Sequence, residues 1–307
     1  MRKYGNLQCA ASIGLLLKLI LMCVVPTASY ACEIWGWRSF RSPAAAPSVQ
    51  LLESSYLVML KMLLGVRPSV ATPILLAELG LQPLAHHWLK RMATFWNSLV
   101  SLPHDHLYAL ILRDSCFYGV TTPTPTWAGY FMKALIKVGY PYQIDCQPPH
   151  PIDMPSLRDL LRRHGRQPWE GLHVSPRLCP SERAQLCTYS RWFNSPSRAT
   201  LSRLLWLRVS VSKLRVFHRF RMGVHNLPID AGRRRGIPRS HRLCDQCQAG
   251  LVGDEHHLVF SCSALQPIRD RYPHLFRSPF RSLRQFVWQD DLQSVVNFIY
   301  DCFQFRS

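Results

Sequence analysis

The sequence predicts a mainly α-helical protein that carries a small module rich in cysteine and histidine, followed by a closing helix. Three observations support this fold class. Apolar residues recur at helical spacing through residues 50–139, glycine and proline separate the successive stripes, and possible metal ligands gather between Cys244 and Cys262. Hydrophobic residues make up 48% of the 307 residues, which is enough for a sizeable core.

The predicted helical domain, residues 50–139, contains five helices. Three of them show clear apolar stripes, which are Leu51, Leu52, Tyr56, Met59, Leu60 and Leu63, then Leu84, Trp88, Met92, Phe95 and Leu99, and finally Trp127, Phe131, Leu135 and Val138. Thr72 and Pro73 are the predicted N-cap and first residue of the second helix. The predicted stops are Gly65, Gly80, Pro103, Gly119 and Gly139, and the fourth helix covers His106–Tyr118.

The N-terminal segment, residues 1–37, admits two interpretations. Arg2 and Lys3 precede an apolar run at 11–25, and small residues lie where a secretory signal would be cut after Ala31. Lys18 interrupts that run, which is also too short to span a membrane. An amphipathic helix is the alternative to a signal peptide. Residues 38–49, rich in proline, alanine and serine, follow as a linker.

The second half of the chain divides into a connector rich in proline and arginine, residues 140–200, and a basic domain, residues 201–307. The connector includes a short basic helix at 157–164, and residues 188–193 are compatible with a strand or a helical turn. Residues 201–220 are predicted as one helix capped by Thr200, although Val209 and Val211 also permit a strand. The closing helix is predicted at 289–303.

Four side chains in the basic domain have the spacing of a metal site. Cys244, Cys247, His257 and Cys262 form the pattern C-x2-C-x9-H-x4-C. Thiolate and imidazole are the donors that a tetrahedral zinc ion prefers, and four protein ligands leave no open position. The sequence therefore predicts one structural zinc ion. His256 competes with His257 as the ligand, and four unconnected buried residues are the alternative interpretation.

The positive charge of the chain is concentrated in front of this metal-ligand pattern. The net charge is +19, and residues 158–242 contain 19 lysines and arginines against four acids. Such clustering favours a nucleic-acid partner, RNA or DNA, over a merely solvated face. The predicted phosphate contacts are Arg233, Arg234, Arg235, Arg239 and Arg242. The eleven cysteines show no disulfide framework, so a reducing compartment, the nucleus or cytoplasm, is expected.

Several segments resemble one known family in the order in which that family has them. They are PTASYACEIWG (26–36), the helical stretch 63–84, the basic lead-in FRMGVH (220–225) with RSHRLC (239–244), GDEHHLVFSC (253–262) and the end segment 290–302. Together they resemble the C-terminal region, from the segment after the palm to the zinc knuckle, of non-LTR (LINE-type) retrotransposon reverse transcriptases. Ala31 stands where the family often has glycine.

This resemblance implies zinc at Cys244, Cys247, His257 and Cys262, and a role in gripping RNA or DNA. It also implies that the polymerase palm and the endonuclease belong before residue 1, and that the missing polymerase portion is a partner. The pattern Trp288–Leu292 imitates an aromatic-x-Asp-Asp motif, but it leads into a helical stripe where Asp is a natural N-cap. No polymerase or nuclease activity is therefore expected.

The predicted function is zinc-dependent nucleic-acid binding by this C-terminal fragment. The alternative is a secreted or membrane-associated helical protein with an N-terminal signal peptide, in which the cysteines would pair. A translated remnant without a selected function is the third possibility.

Overall fold

A computed structural model describes residues 10–41, 46–121, 126–141, 149–166, 184–193, 204, 207–277 and 282–306. Within them the protein is mainly helical, as predicted, and the only β-structure is a single bridge between Leu243 and Val252. The α-helices are α1 Ala10–Leu19, α2 Val25–Ala28, α3 Cys32–Trp35, α4 Pro47–Leu64, α5 Thr72–Leu79, α6 Leu84–Val100, α7 Leu107–Thr121, α8 Trp127–Lys137, α9 Met154–His164, α10 Ala184–Trp192, α11 Val211–Arg221, α12 Pro228–Arg234, α13 Gln266–Arg269, α14 Leu283–Val287 and α15 Leu292–Phe305.

The chain forms two compact units, each assembled from non-consecutive segments. The middle unit contains Ile20–Leu57 and Gln82–Pro168, and the C-terminal unit contains Met1–Leu19, Val58–Leu81 and Trp169–Ser307. Residues 58–81, which the sequence groups with the helical domain 50–139, thus belong to the same unit as the predicted metal ligands.

Three of the predicted glycine stops are confirmed. Gly65, Gly80 and Gly139 follow α4, α5 and α8 with φ angles of 62°, 67° and 85°. This left-handed conformation lets the chain leave a helix, and glycine adopts it without the clash that a Cβ would cause. At the start of α5 the N-cap is Ala71, one residue before the predicted Thr72.

The predicted stop at Gly119 is wrong, because α7 continues through Gly119 to Thr121. The residue serves packing instead. A Cβ built on Gly119 would lie 3.2 Å from the Cα and the backbone nitrogen of Gly129 in α8. Two facing glycines thus allow the backbones of α7 and α8 to approach closely within the middle unit.

The predicted single helix over 201–220 is also wrong in its described part. Residues 207–210 are not helical, and α11 begins at Val211 because the hydroxyl of Ser210 accepts a hydrogen bond from the backbone N–H of Lys213. A serine that caps a helix competes with continuation of the helix through it. Thr200, the predicted cap, lies outside the described residues. Residues 184–192, by contrast, form the helix α10, which includes most of the undecided stretch 188–193.

The N-terminal segment is an interrupted set of short helices. A π-helical turn at Ile20–Val24 separates α1 from α2, and Ala31 adopts the left-handed conformation, with φ 51°, immediately before α3. No single described helix is long and apolar enough to cross a membrane; Ile13–Ala28 with Cys32–Phe40, bent by 64°, qualifies as a pair by length and composition alone.

Two fully buried tryptophans, Trp88 and Trp96, help to organise the middle unit, and the indole N–H of each has a hydrogen-bond partner. The indole N–H of Trp88 donates to the hydroxyl of Ser29 at 3.1 Å, and that of Trp96 donates to the carbonyl of His150 at 2.8 Å. Trp96 belongs to a core cluster with side chains from α6, α8 and α9, which include Leu89, Met92, Phe131, Leu135, Leu157 and Leu161. The predicted stripes of α6 and α8 thus supply core positions, whereas Leu51 and Leu52 of the first predicted stripe are exposed.

A fully buried ionic cluster links α5 to α11 in the C-terminal unit. The carboxylate of Glu78 accepts hydrogen bonds from Arg221 at 2.8 and 3.1 Å, from Tyr189 at 2.7 Å and from His218 at 3.1 Å. The guanidinium of Arg221 also lies over the rings of Phe193 and Trp288. A buried charge is tolerated only with such pairing, so these contacts determine how α5 and α11 pack.

The closing helix α15 begins at Leu292, three residues later than predicted. Its N-cap is Asp291, whose carboxylate accepts from the backbone N–H of Ser294 at 3.0 Å. The aspartate pair that imitates a polymerase motif thus supplies a helix cap. The predicted apolar stripe of this helix is buried at Leu292, Val295, Val296 and Ile299.

Candidate metal centre

The structure brings together the four side chains that the sequence singles out as metal ligands. One ligand atom from each of Cys244, Cys247, His257 and Cys262 lies within 4.8 Å of the other three. The Sγ atoms of Cys244 and Cys262 are 3.8 Å apart, and Sγ of Cys247 is 3.3 Å from Nε2 of His257. His256 is not part of this group, so the arrangement selects His257 from the two adjacent histidines.

These distances fit a tetrahedral ion. With metal–sulfur bonds of about 2.3 Å, the sulfur atoms on one edge of a tetrahedron lie about 3.8 Å apart, and a sulfur–nitrogen edge is slightly shorter. A disulfide is excluded at this edge, because bonded sulfur atoms are separated by about 2.05 Å. Nε2 is the ring nitrogen of His257 that faces the sulfur atoms, and Nδ1 is buried without a hydrogen-bond partner among the described residues. The cluster can hold a metal ion.

A tight hairpin positions the first two ligands. The backbone N–H of Cys244 donates to the carbonyl of Leu251 at 2.8 Å, and that of Gly253 donates to the carbonyl of Arg242 at 2.9 Å. Gly250 turns the chain with a φ angle of 65°. A Cβ on Gly253 would lie 2.8 Å from Cγ of Pro228 and 3.0 Å from Cα of Cys244, so only glycine fits between the hairpin and α12.

The other two ligands lie at the ends of one π-helical turn, His257–Ser261. The backbone N–H of Cys262 donates to the carbonyl of His257 at 2.9 Å, which closes the turn over the five-residue step of the H-x4-C spacing. The carboxylate of Asp254 accepts from the backbone N–H of His257 at 3.0 Å and caps the start of the turn. A π-turn therefore brings the imidazole and the thiol to the same side.

A buried pair connects this turn to the basic lead-in. Nε2 of His225 lies 2.9 Å from the carboxylate of Glu255, and Nδ1 of His225 accepts from the backbone N–H of Leu227 at 3.2 Å. Because Nδ1 is an acceptor, the proton resides on Nε2, which donates to Glu255. Glu255 is two residues before the ligand His257, so the pair fixes the entry to the π-turn.

Two more contacts support the segment 242–262, which we call the Cys/His segment. The guanidinium of Arg306, at the end of α15, lies 2.6 Å from the carboxylate of Asp245. Arg269 in α13 donates to the backbone carbonyl of the ligand Cys262. The segment is thereby held by α13 and by the end of α15 as well as by α12.

Burial and backbone contacts act differently on two of the thiols. Burial raises the pKa of the Cys262 thiol to about 11, whereas a hydrogen bond from the backbone N–H of Ala249 lowers the pKa of Cys247. The free thiols among the described residues are Cys23, Cys32, Cys116, Cys244, Cys247, Cys262 and Cys302. Cys187 in α10 is disulfide-bonded, which departs from the expectation of reduced thiols at that residue.

Two of the five predicted phosphate contacts lie within the protein's own hydrogen-bond network. The guanidinium of Arg242 donates to the carbonyls of Ile237 at 2.7 Å and Ile229 at 3.1 Å, and its side chain packs against Gly232. Arg233 donates to Asp230 and to the carbonyl of Gly223. These two arginines hold α12 and the hairpin together.

The other three predicted phosphate contacts are exposed. Arg234 lies 3.6 Å from Asp230, and Arg239 lies 2.8 Å from Asp254, with side chains that are 46% and 58% exposed. Arg235 is exposed at the end of α12. They leave a cationic surface directly before the first metal ligand, which we call the arginine surface (Arg234, Arg235 and Arg239).

The sequence alone does not identify the partners of the basic lead-in. Glu78 lies in the apolar stripe of α5, and Glu255 lies beside two histidines, yet each is completely paired in the structure with a lead-in residue, Arg221 or His225. The sequence offered two signals of these pairs: Glu78 is an acid within an apolar stripe, and Glu255 is an acid two residues before a predicted ligand. No family model, curated protein or solved structure matches the chain.

Proposed function

We propose that the protein binds one structural zinc ion at Cys244, Cys247, His257 and Cys262, and that the zinc-organised segment presents the arginine surface to RNA or DNA. The chain would then be the C-terminal part of a retrotransposon reverse transcriptase, without polymerase activity of its own. The observation that carries the proposal is the closed cluster of three thiols and one imidazole, all within 4.8 Å, beside exposed arginines.

The donor set supports zinc over hard cations. Hard cations such as magnesium and calcium prefer oxygen, and this cluster offers sulfur and nitrogen alone. With four protein ligands the ion has no open position for substrate, so its role is to hold the hairpin and the π-turn together. When bound, zinc supplies the cross-link that these two halves need and keeps the thiols ionised.

The charge distribution supports a nucleic-acid partner. The net charge of +19 is far from neutrality, and residues 158–242 contribute a large positive excess dominated by arginine. Arginine forms paired hydrogen bonds with phosphate, and backbone contacts of this kind supply affinity without sequence specificity. The predicted set thus divides into Arg234, Arg235 and Arg239 as phosphate contacts, with Arg233 and Arg242 as their support.

Two structural details support the resemblance to the reverse-transcriptase family. In the lead-in FRMGVH, Arg221 binds Glu78, Gly223 has a φ angle of 63°, and His225 binds Glu255. The arginine, the glycine and the histidine of the motif therefore each have a specific structural role. Ala31, which stands where the family often has glycine, adopts a left-handed backbone conformation that favours glycine. A shared fold would explain both.

Metal content and nucleic-acid binding of the purified protein test the proposal together. We expect one zinc per chain, lost in the Cys244→Ser, Cys247→Ser double variant together with binding to fluorescent RNA and duplex DNA. Affinity should fall steeply with salt, because cationic contacts release counterions from phosphate. The variant Arg234→Gln, Arg235→Gln, Arg239→Gln should keep its zinc and lower the salt slope by about 2 on a single strand.

A matched control removes the same charge elsewhere. Arg158, Arg162 and Arg163 are exposed on α9 of the middle unit, and their glutamine variant should bind nearly as the wild type does. Absence of zinc, with Cys244, Cys247 and Cys262 in disulfides, would overturn the proposal in favour of the secreted alternative. Equal losses in the two triple variants would contradict the assigned surface.

A further inference from the structure

A row of half-exposed aromatic rings lies beside the metal centre. The ring centroids of Trp192 and His256 are 6.3 Å apart, and those of His256 and Phe260 are 4.9 Å apart. Trp192 ends α10, whereas His256 and Phe260 flank the ligand His257 in the Cys/His segment. All three residues are partly accessible to solvent.

Both ends of this aromatic row (Trp192, His256 and Phe260) have a defined environment. At one end Phe260 packs edge-on against the fully buried Phe286, with centroids 5.6 Å apart, so the row is rooted in the core. At the other end the exposed guanidinium of Arg191 lies 4.4 Å from the centroid of the Trp192 ring. The row thus runs from the core to a surface cation.

One of the proposed phosphate contacts, Arg239, is connected to the row through Asp254. Arg239 pairs at 2.8 Å with Asp254, which is two residues before His256 and caps the π-turn. The cationic side chains Arg191 and Arg239 therefore accompany aromatic rings on the same part of the C-terminal unit. Surfaces that bind single-stranded nucleic acid combine two components: cationic side chains along the sugar–phosphate backbone, and aromatic rings on which the bases stack.

We infer that this aromatic row is a stacking site for the bases of single-stranded nucleic acid, with Arg191 and Arg239 holding the adjoining phosphates. Bases in a duplex are already stacked on one another and do not present their faces, so the site selects single strands. The inference rests on the proposed nucleic-acid function and specifies its substrate class. It also gives His256 a task distinct from metal binding.

An abasic strand separates the two modes of binding. It keeps the phosphates that the arginine surface would contact but has no bases to stack on the aromatic row. We would measure binding of the zinc-loaded protein to a fluorescent 20-nucleotide single strand and to the same strand built from abasic units. Stacking of one or two bases should make the ordinary strand bind about tenfold or more tightly. Equal affinity for the two strands in the wild type would overturn the inference directly.

The variant Trp192→Leu, His256→Gln should lose this preference while its affinity for the abasic strand and its zinc content stay unchanged. Phe260→Leu, which retains an apolar contact with Phe286, is a second and milder variant for the case in which the first does not fold. The matched control is Phe305→Leu, an exposed aromatic residue at the end of α15. A preference that survives in both row variants would overturn the inference.

The test separates this inference from the wider proposal. Loss of base preference in a protein that still binds zinc and still binds strands in a salt-dependent manner would leave the proposed function intact. A wild-type protein that binds neither zinc nor any nucleic acid would overturn both. Tighter binding to a duplex of the same length than to the single strand would contradict the stacking site alone.

Discussion

The guanidinium of Arg221 and the carboxylate of Glu78, 143 positions apart in the chain, form a doubly hydrogen-bonded pair that is almost completely excluded from solvent. This pair ties the basic lead-in of the metal centre to a helix that precedes it by half the chain. The contribution of this pair to the free energy of unfolding can be measured directly.

We expect Glu78→Gln to lower the free energy of unfolding by about 3–5 kcal/mol, because it leaves the charge of Arg221 buried without compensation. The double variant Glu78→Gln, Arg221→Met should recover part of this loss. Urea titration followed by circular dichroism measures both. The exposed pair Asp159–Arg162 is the control, since its removal should change little.

The same pair predicts a dependence on pH. Burial by itself raises the pKa of Glu78, but the charge of Arg221 and the hydrogen bond from His218 outweigh burial and hold the pKa well below its usual range. The stabilisation is therefore complete above the unfolded pKa of about 4.3 and is lost as the pH falls toward the folded value. Unfolding between about pH 2 and 5 should be less sensitive to pH in Glu78→Gln than in the wild type. Parallel curves would contradict this account.

The His225–Glu255 pair predicts a coupling between the lead-in and metal affinity. His225→Phe leaves the carboxylate of Glu255 buried without its donor, and we expect a loss of about 3 kcal/mol in stability and a 10- to 100-fold weaker hold on the metal. Glu255→Gln keeps an acceptor for His225 and should be much milder. Competition with a chromogenic chelator measures the affinity; an unchanged value in His225→Phe would show that the pair does not support the metal centre.

Ala31 provides a stabilising substitution. A non-glycine residue in the left-handed region costs about 1–2 kcal/mol, part of which glycine returns through its greater freedom in the unfolded chain. Ala31→Gly should therefore raise the free energy of unfolding by about 0.5–1 kcal/mol. Ala93→Gly, inside α6 of the same unit, should lower it by about 1 kcal/mol or more. Thermal unfolding distinguishes the two directions.

Gly253 predicts a steric effect on the metal centre. A Cβ there would press on Pro228 and on the backbone of the ligand Cys244, and backbone cannot yield as the end of a flexible side chain does. Gly253→Ala should weaken metal binding and stability together. Gly250→Asn is the matched substitution in the same hairpin, since asparagine tolerates the left-handed conformation and nothing lies within 4 Å of the added Cβ. Equal effects of the two variants would contradict the steric explanation.

Local signals predicted much of this structure. Glycine after an apolar stripe marks the end of α4, α5 and α8, since the left-handed exit is a local property of the chain. The H-x4-C spacing is likewise local, because one π-turn spans it. The predicted metal ligands and the cap at Asp291 follow from such short-range rules.

The sequence did not predict which residues, far apart in the chain, contact one another. Arg235 and Arg242 are alike in sequence, yet one is exposed and the other donates to two backbone carbonyls, because Gly232 leaves room for the side chain of Arg242. Gly119 follows a predicted helix just as Gly65, Gly80 and Gly139 do, but it lies inside α7 and faces Gly129 of α8. Such distinctions depend on what packs against a residue, which periodicity does not record.

The supports of the Cys/His segment have a consequence for its portability. Its hairpin rests on Pro228, its π-turn on His225, and its first loop on Arg306, which is 61 positions away from Asp245. Residues 242–262 excised as a peptide, or transplanted into another protein, would leave all three behind. The candidate metal site therefore depends on several helices of one unit and is not a self-contained module that could be repeated in tandem.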